Sequence, residues 1–248
     1  MTTAAAPLAD VRPLDDPRLL LAVWDEAAAV PACAVGAVLL RRSGVVDGLQ
    51  EALDLPLSAV AALLLRLWTA TFGPTAECLV GCPGCGEDLE VALPLAALAA
   101  LPEQAPSAVV GESGLVVRCP ATRDLLAITA AASPADALLG RSVTDAAGRP
   151  VDPAELEPGV RAEVEAAAER LAGPAASFVT AACPRCGTPV RVDVDPVELL
   201  WQQLRAEVPA VLADVADLAA GFGWSEADVL GLSPARRTAY LDLLRDRS

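Results

Sequence analysis

Apolar positions recur every three to four residues in the first third of the chain. Further on, at two places, they switch to every second residue. Leu20, Val23, Trp24 and Ala27 share one helical face, and Pro17 suits the first turn of that helix. A second apolar helix is predicted from about Pro31 to Arg42. Val60, Leu63, Leu64, Leu67 and Trp68 mark a third, with Ser58 as the expected N-cap and Gly73-Pro74 as its stop. A strand is predicted over Glu77–Val80, then CPGCG at Cys82–Gly86, then a strand in which Leu89, Val91 and Leu93 alternate. The same order then returns. A helix over Val160–Leu171 ends at Gly173-Pro174, Ser177–Ala181 reads as a strand, CPRCG occupies Cys183–Gly187, and Val190, Val192 and Val194 alternate. Pro74 stands eight residues before Cys82 and Pro174 nine before Cys183, so the chain contains one structural unit twice.

Between the units, Ala108–Val110 and Leu115–Cys119 read as a hairpin turning at Gly111–Gly114. An amphipathic helix is expected from about Thr122 to Ala132. Gly140–Pro158 is polar and rich in Gly and Pro, which predicts a mobile loop. Val197, Leu200, Leu204, Val208, Val211, Val215 and Leu218 keep one stripe over many turns, a long helix with a kink expected at Pro209. Ser225 and Ser233 read as N-caps of a closing helical hairpin. The predicted fold is mainly α with a small β ribbon, an α+β chain in five segments. They are a helical region 1–72, a first knuckle hairpin 73–95, an inserted hairpin with helices 96–173, a second knuckle hairpin 174–195, and a long helix with the C-terminal hairpin 196–248.

Composition narrows the chemistry. Of 248 residues, 54% are hydrophobic but only 3% aromatic, so the core must be built from Leu, Val and Ala. There is no His, and all 18 basic residues are Arg. Imidazole acid–base steps, Ser-His-Asp triads, P-loop lysines and Schiff bases are therefore excluded, and no enzyme activity is expected. The net charge of −15 repels phosphate backbones and anionic lipids. No uncharged run is long enough for a membrane span, and MTTAAAPLADVRPLDD lacks the basic start of a secretory leader. A cytoplasmic protein with reduced thiols is expected.

Cys82, Cys85, Cys183 and Cys186 are the candidate metal ligands. Two thiolates three residues apart on a tight turn can face one tetrahedral ion. Two such turns close a four-sulfur shell, which points to one structural Zn2+ rather than a catalytic one. The 97 residues between Cys85 and Cys183 are tolerable because loop entropy grows only logarithmically with length. A redox CxxC pair and unligated cysteines are the competing readings. Redox motifs of the thioredoxin type open a helix after a strand, whereas each motif here lies between two strands. Cys78 reads as a small core residue near the place where the second unit has Phe178. Nucleic-acid binding by the ribbon is not expected, because its segments carry Glu77, Glu87, Asp88, Glu90, Asp193 and Asp195 against Arg185 and Arg191. Carboxylate pairs such as Asp15-Asp16 and Glu163-Glu165 read as solvated acidic faces. Trp224, Arg236, Arg237 and Tyr240 near the C-terminus are candidate partner contacts, with an exposed helix face as the plainer alternative.

Several strings together resemble one family. They are LLLRLWTATFGP (Leu63–Pro74) leading into CPGCGEDLEV, the second CPRCG, Arg123-Asp124-Leu125-Leu126, and FGWSEADVLGLSPARRTAYLDLL (Phe222–Leu244). The chain resembles, from about residue 17 to 246, the baseplate hub assembly chaperones of contractile phages and phage-tail-like contractile injection systems. The resemblance implies a non-enzymatic helper or minor component acting on hub, spike or tail-tube-initiating subunits, with Cys82, Cys85, Cys183 and Cys186 as the carried-over zinc ligands. A cytoplasmic zinc-ribbon adaptor in a transcription-related or other complex is the alternative.

Overall fold

Helix α1 (Pro17–Ala28) begins where Asp16 accepts the Arg18 backbone N–H at 2.9 Å and Pro17 takes the first helical position. The computed structural model describes residues 14, 16–102 and 104–246. Of the stretch MTTAAAPLADVRPLDD only Leu14 and Asp16 lie within them, so Asp15 of the Asp15-Asp16 pair lies outside. After α1 a 3-10 turn at Ala32–Ala34 feeds α2 (Val35–Arg42), so the helix expected from Pro31 comes in two pieces. Two more helices follow, α3 (Leu49–Asp54) and α4 (Leu57–Phe72).

Ser58 is not the N-cap of α4. The helix starts two residues earlier than that cap implies, Pro56 holds the cap position, and the Leu57 N–H donates to the Pro120 carbonyl at 2.8 Å. A tertiary contact thus satisfies a free helical donor, and Ser58 turns inward to 7% exposure.

The first knuckle hairpin pairs β1 (Ala76–Gly81) with β2 (Asp88–Leu93) in antiparallel register, Ala76 opposite Leu93 and Gly81 opposite Asp88. The short α5 (Leu95–Ala99) follows. A second antiparallel sheet has the order β3 (Ser107–Val110), β4 (Leu115–Arg118), β5 (Val143–Thr144). Between β4 and β5 lie α6 (Thr122–Ala127) and α7 (Pro134–Ser142). Helix α6 is shorter than its pattern, because Ile128 leaves helical geometry and is buried, and Ser133-Pro134 starts a new helix. The Gly140–Pro158 stretch is also corrected. It holds the end of α7, strand β5 and a 3-10 turn at Pro153–Glu155. Gly140 lies in a close contact rather than a loose loop, since a Cβ there would lie 3.2 Å from Pro153 Cδ.

Helix α8 (Pro158–Ala172) leads to the second knuckle hairpin, β6 (Phe178–Ala182) with β7 (Pro189–Asp193). The 27-residue α9 (Pro196–Phe222) runs through Pro209 as one helix, and α10 (Glu226–Leu230) and α11 (Pro234–Arg245) complete the chain. Ser225 and Ser233 cap these last two as expected. The main core joins α1 to α5 with the inner faces of both knuckle hairpins and the first half of α9. A smaller core lies among β3, β4, β5, α7 and α8, and a third among the end of α9, α10 and α11. Among the described residues, no helix is long and apolar enough to cross a membrane.

Candidate metal centre

Each CPxCG sequence folds as the turn of its hairpin. In the first, the Cys82 N–H donates to the Glu87 carbonyl at 2.7 Å and the Gly86 N–H to the Cys82 carbonyl at 2.8 Å. In the second, the Cys183 N–H donates to the Thr188 carbonyl at 2.9 Å and the Gly187 N–H to the Cys183 carbonyl at 2.8 Å. Gly86 and Gly187 sit at φ 73° and 74°, a left-handed conformation that side chains disfavour. Adding 101 to any residue of the first turn gives its counterpart in the second.

The two turns meet. All four ligand sulfurs lie within 4.8 Å of one another, close enough to share one metal ion. Cys82 Sγ is 3.6 Å from Cys186 Sγ, and Cys85 Sγ is 3.7 Å from Cys183 Sγ. Under the 101-residue correspondence these two contacts exchange, so the turns are related by a local twofold. Cys82 and Cys183 are 3% and 2% exposed, whereas Cys85 and Cys186 face solvent. Around the sulfurs the same symmetry recurs with different chemistry. Gly84 lies against Thr188, where a Cβ would come within 2.5 Å of Thr188 Oγ1. Its counterpart, Arg185, pairs with Glu87 at 2.6 Å. Neither rim contact was foreseen from the sequence. The only signal would have been that residues 84 and 185, and 87 and 188, occupy matching places.

Local hydrogen bonds bias the thiols before any metal enters. The Thr188 hydroxyl, 3.2 Å from Cys186 Sγ, and the Thr188 backbone N–H pull the Cys186 thiol down to about 6. For Cys85 the Glu87 backbone hydrogen bond pulls downward, but desolvation and the neighbouring thiols Cys186, Cys183 and Cys82 outweigh it and push the group up to about 12. A divalent ion would replace these shared protons, since thiolate rather than thiol is the ligand.

No family model, curated protein or solved structure matches the chain.

The other cysteines stand apart from the cluster. Cys78 is half-buried on β1, its Sγ donating to the Val91 carbonyl at 3.5 Å, and burial raises its pKa. Its counterpart by register is Val179 rather than Phe178, because Cys78 faces Val91 and Val179 faces Val192. The four C-terminal candidates do not share one surface. Phe222, Trp224 and Tyr240 pack ring on ring at 4.8–5.5 Å, Arg237 is 8% exposed with its Nε lacking a hydrogen bond, and Arg236 is exposed.

The sequence also missed a buried carboxylate. Asp124, 4% exposed, accepts from Arg118 at 2.7 and 3.0 Å, from Arg141 at 3.0 Å and from the Ala121 N–H at 2.9 Å. Burial alone would raise its pKa; these donors outweigh burial and hold it down to about 2. It ties β4, α6 and α7 together.

Proposed function

We propose that this chain is a non-enzymatic assembly chaperone, or minor component, of the baseplate hub of a contractile phage-tail-like injection system, stapled by one structural Zn2+. The observation that carries the structural part is the closed set of four thiols assembled from two turns 97 residues apart. Four sulfurs about 2.3 Å from a zinc ion sit roughly 3.8 Å from one another in a tetrahedron. The cross-turn contacts of 3.6 and 3.7 Å fit that spacing. A full sulfur shell leaves no position for substrate or activated water, so the ion's work is to join two distant hairpins.

The hub assignment draws on the resemblance at Leu63–Pro74, both CPxCG turns and Phe222–Leu244. A chaperone needs apolar docking surface and good solubility, and the net charge of −15 favours the second. Leu212 on α9 and Leu243 on α11 are 40% and 47% exposed beside the C-terminal core, and Arg236 is exposed on α11. These residues make the C-terminal hairpin the proposed contact for a hub, spike or tube-initiating subunit in the cytoplasm, where thiols stay reduced.

Deletion of the gene tests the assignment. Sheath and tube subunits should still be expressed while complete contractile particles fail to form, and removal of residues after about Phe222 should have the same effect. Intact particles at normal yield in the null strain would overturn the hub role and favour the zinc-ribbon adaptor.

A further inference from the structure

Each knuckle contributes one buried and one exposed cysteine, and each buried sulfur lies against the exposed sulfur of the other knuckle. Cys82 faces Cys186 at 3.6 Å, and Cys85 faces Cys183 at 3.7 Å. Contacts that need no metal hold this crossed arrangement. The inner-face residues Leu89, Val91, Leu93, Val190, Val192 and Val194 belong to one apolar core, so the hairpins share an interior. Glu87 pairs with Arg185 across the rim, and Gly84 abuts Thr188. Meanwhile the backbone hydrogen bonds within each turn hold its own two cysteines in the ligand-bearing loop.

We propose that the centre is also a site of oxidative modification, in which hydroperoxide converts the metal staple into two crossed disulfides, Cys82–Cys186 and Cys85–Cys183. The exposed sulfur reacts first, because it alone meets the oxidant. The Cys186 thiolate attacks the peroxide, the O–O bond breaks, the released hydroxide takes a proton from solvent, and Cys186 carries a sulfenic acid. Cys82 then attacks that sulfur, the S–O bond breaks, hydroxide leaves as water after a second protonation, and the S–S bond forms. Two thiolates have lost two electrons, and one hydrogen peroxide has become two waters. Cys85 and Cys183 repeat the sequence with a second peroxide, and the metal ion departs without its ligands. Closing each pair from its present contact to a disulfide length of about 2.05 Å needs an approach of about 1.6 Å. The oxidised protein keeps its hairpins joined without metal, so the joint survives in both redox states.

The test uses the full chain loaded with Zn2+ and treated with hydrogen peroxide, followed by alkylation and non-reducing tryptic mapping. Trypsin cuts after Arg66, Arg118, Arg170, Arg185 and Arg191, which places Cys82 and Cys85 on peptide 67–118, Cys183 on 171–185 and Cys186 on 186–191. The expected result is peptide 67–118 joined to both others, at least tenfold over 171–185 joined to 186–191. Fragmentation should assign Cys82 to Cys186 and Cys85 to Cys183. A metal-binding dye should report one zinc released for two peroxides consumed. Repeating the map with Cys78→Ala removes the third cysteine of 67–118 and should leave the pairing unchanged. Predominant pairing within each CPxCG turn, the opposite crossing, or over-oxidised Cys85 and Cys186 without disulfides would each overturn the proposal.

Discussion

The two knuckle units share one turn and one inner face but little else. The buried positions Leu89, Val91 and Leu93 of the first hairpin answer Val190, Val192 and Val194 of the second. On the outer faces, Glu77 and Glu90 of the first stand where the second has Phe178 and Arg191, and there the guanidinium lies over the Phe178 ring at 3.8 Å. The preceding helices differ more. Helix α4 buries Val60, Ala61, Leu64, Leu65, Leu67 and Trp68, whereas α8 buries only Val164, Ala167 and Leu171 and carries Glu163, Glu165 and Glu169. The first unit is anchored in the main core. The second hairpin shares that core through Val190, Val192 and Val194, but its preceding helix α8 packs on the smaller core instead.

The largest test of that difference is removal of the proposed metal. Structural zinc supplies about 10–16 kcal/mol of folding energy in small zinc-finger peptides. Cys82→Ser and Cys183→Ser occupy equivalent places, so both should lower bound metal far below one equivalent per chain by elemental analysis. Their structural effects should not be equal in extent across the molecule. Hydrogen exchange should rise most over residues 158–193 in either variant, while α2 and α4 stay protected by their own core. Equal loosening of both units would show that α4 does not anchor the first hairpin independently.

Core truncations probe the same asymmetry without touching a ligand. Leu64, fully buried where α4 meets α2 and α9, should cost about 3–5 kcal/mol as Leu64→Ala. Leu171 in the smaller core should cost less, about 2–3 kcal/mol as Leu171→Ala, because its sparser surroundings can relax into the gap. Denaturant unfolding followed by circular dichroism gives both values. A larger loss at Leu171 would reverse the ranking of the two cores.

Next in size is the polar tie beside the second unit. The folded pKa of Asp124, about 2, lies below the ordinary 3.8. Its stabilisation is therefore present above pH 3.8 and lost as pH falls toward 2. The shift corresponds to at most about 2–3 kcal/mol, and to less after screening, because Arg118 and Arg141 are 43% and 44% exposed. Asp124→Asn should lower stability at pH 7 by about 1–2 kcal/mol and flatten the acid limb between pH 4 and 2. Thermal melts across that range check both effects.

These regions also mark what could be read from sequence. Period-two alternation fixes which face of a hairpin is buried, so the knuckle strands and their shared turn were legible to within a residue or two. The four clustered cysteines were legible because their spacing is local within each turn and the turns are duplicated. What long-range contact decides was not. Ser58 looked like a cap, but the carbonyl that meets the helix start belongs to Pro120, far along the chain. Gly140 looked like a loop signal, but it marks where α7 touches Pro153. Asp124 carried no sequence signal of burial, because the Arg118 and Arg141 that close on it come from β4 and α7.

The smallest expected effect lies at the rim of the sulfur cluster. Under the local twofold, the Glu87–Arg185 pair and the Gly84–Thr188 contact are counterparts, one ionic and exposed, the other steric and close. Arg185 is 67% and Glu87 44% exposed, so water and salt screen their attraction. Arg185→Ala should cost no more than about 1 kcal/mol, and the loss should shrink further in high salt. Gly84→Ala acts through volume instead, forcing Thr188 to shift away from the new methyl, and salt should not alter its cost. Paired denaturation curves at low and high salt separate the two mechanisms. A salt-independent loss at Arg185 would mean that its aliphatic stem, rather than its charge, holds the two turns in register.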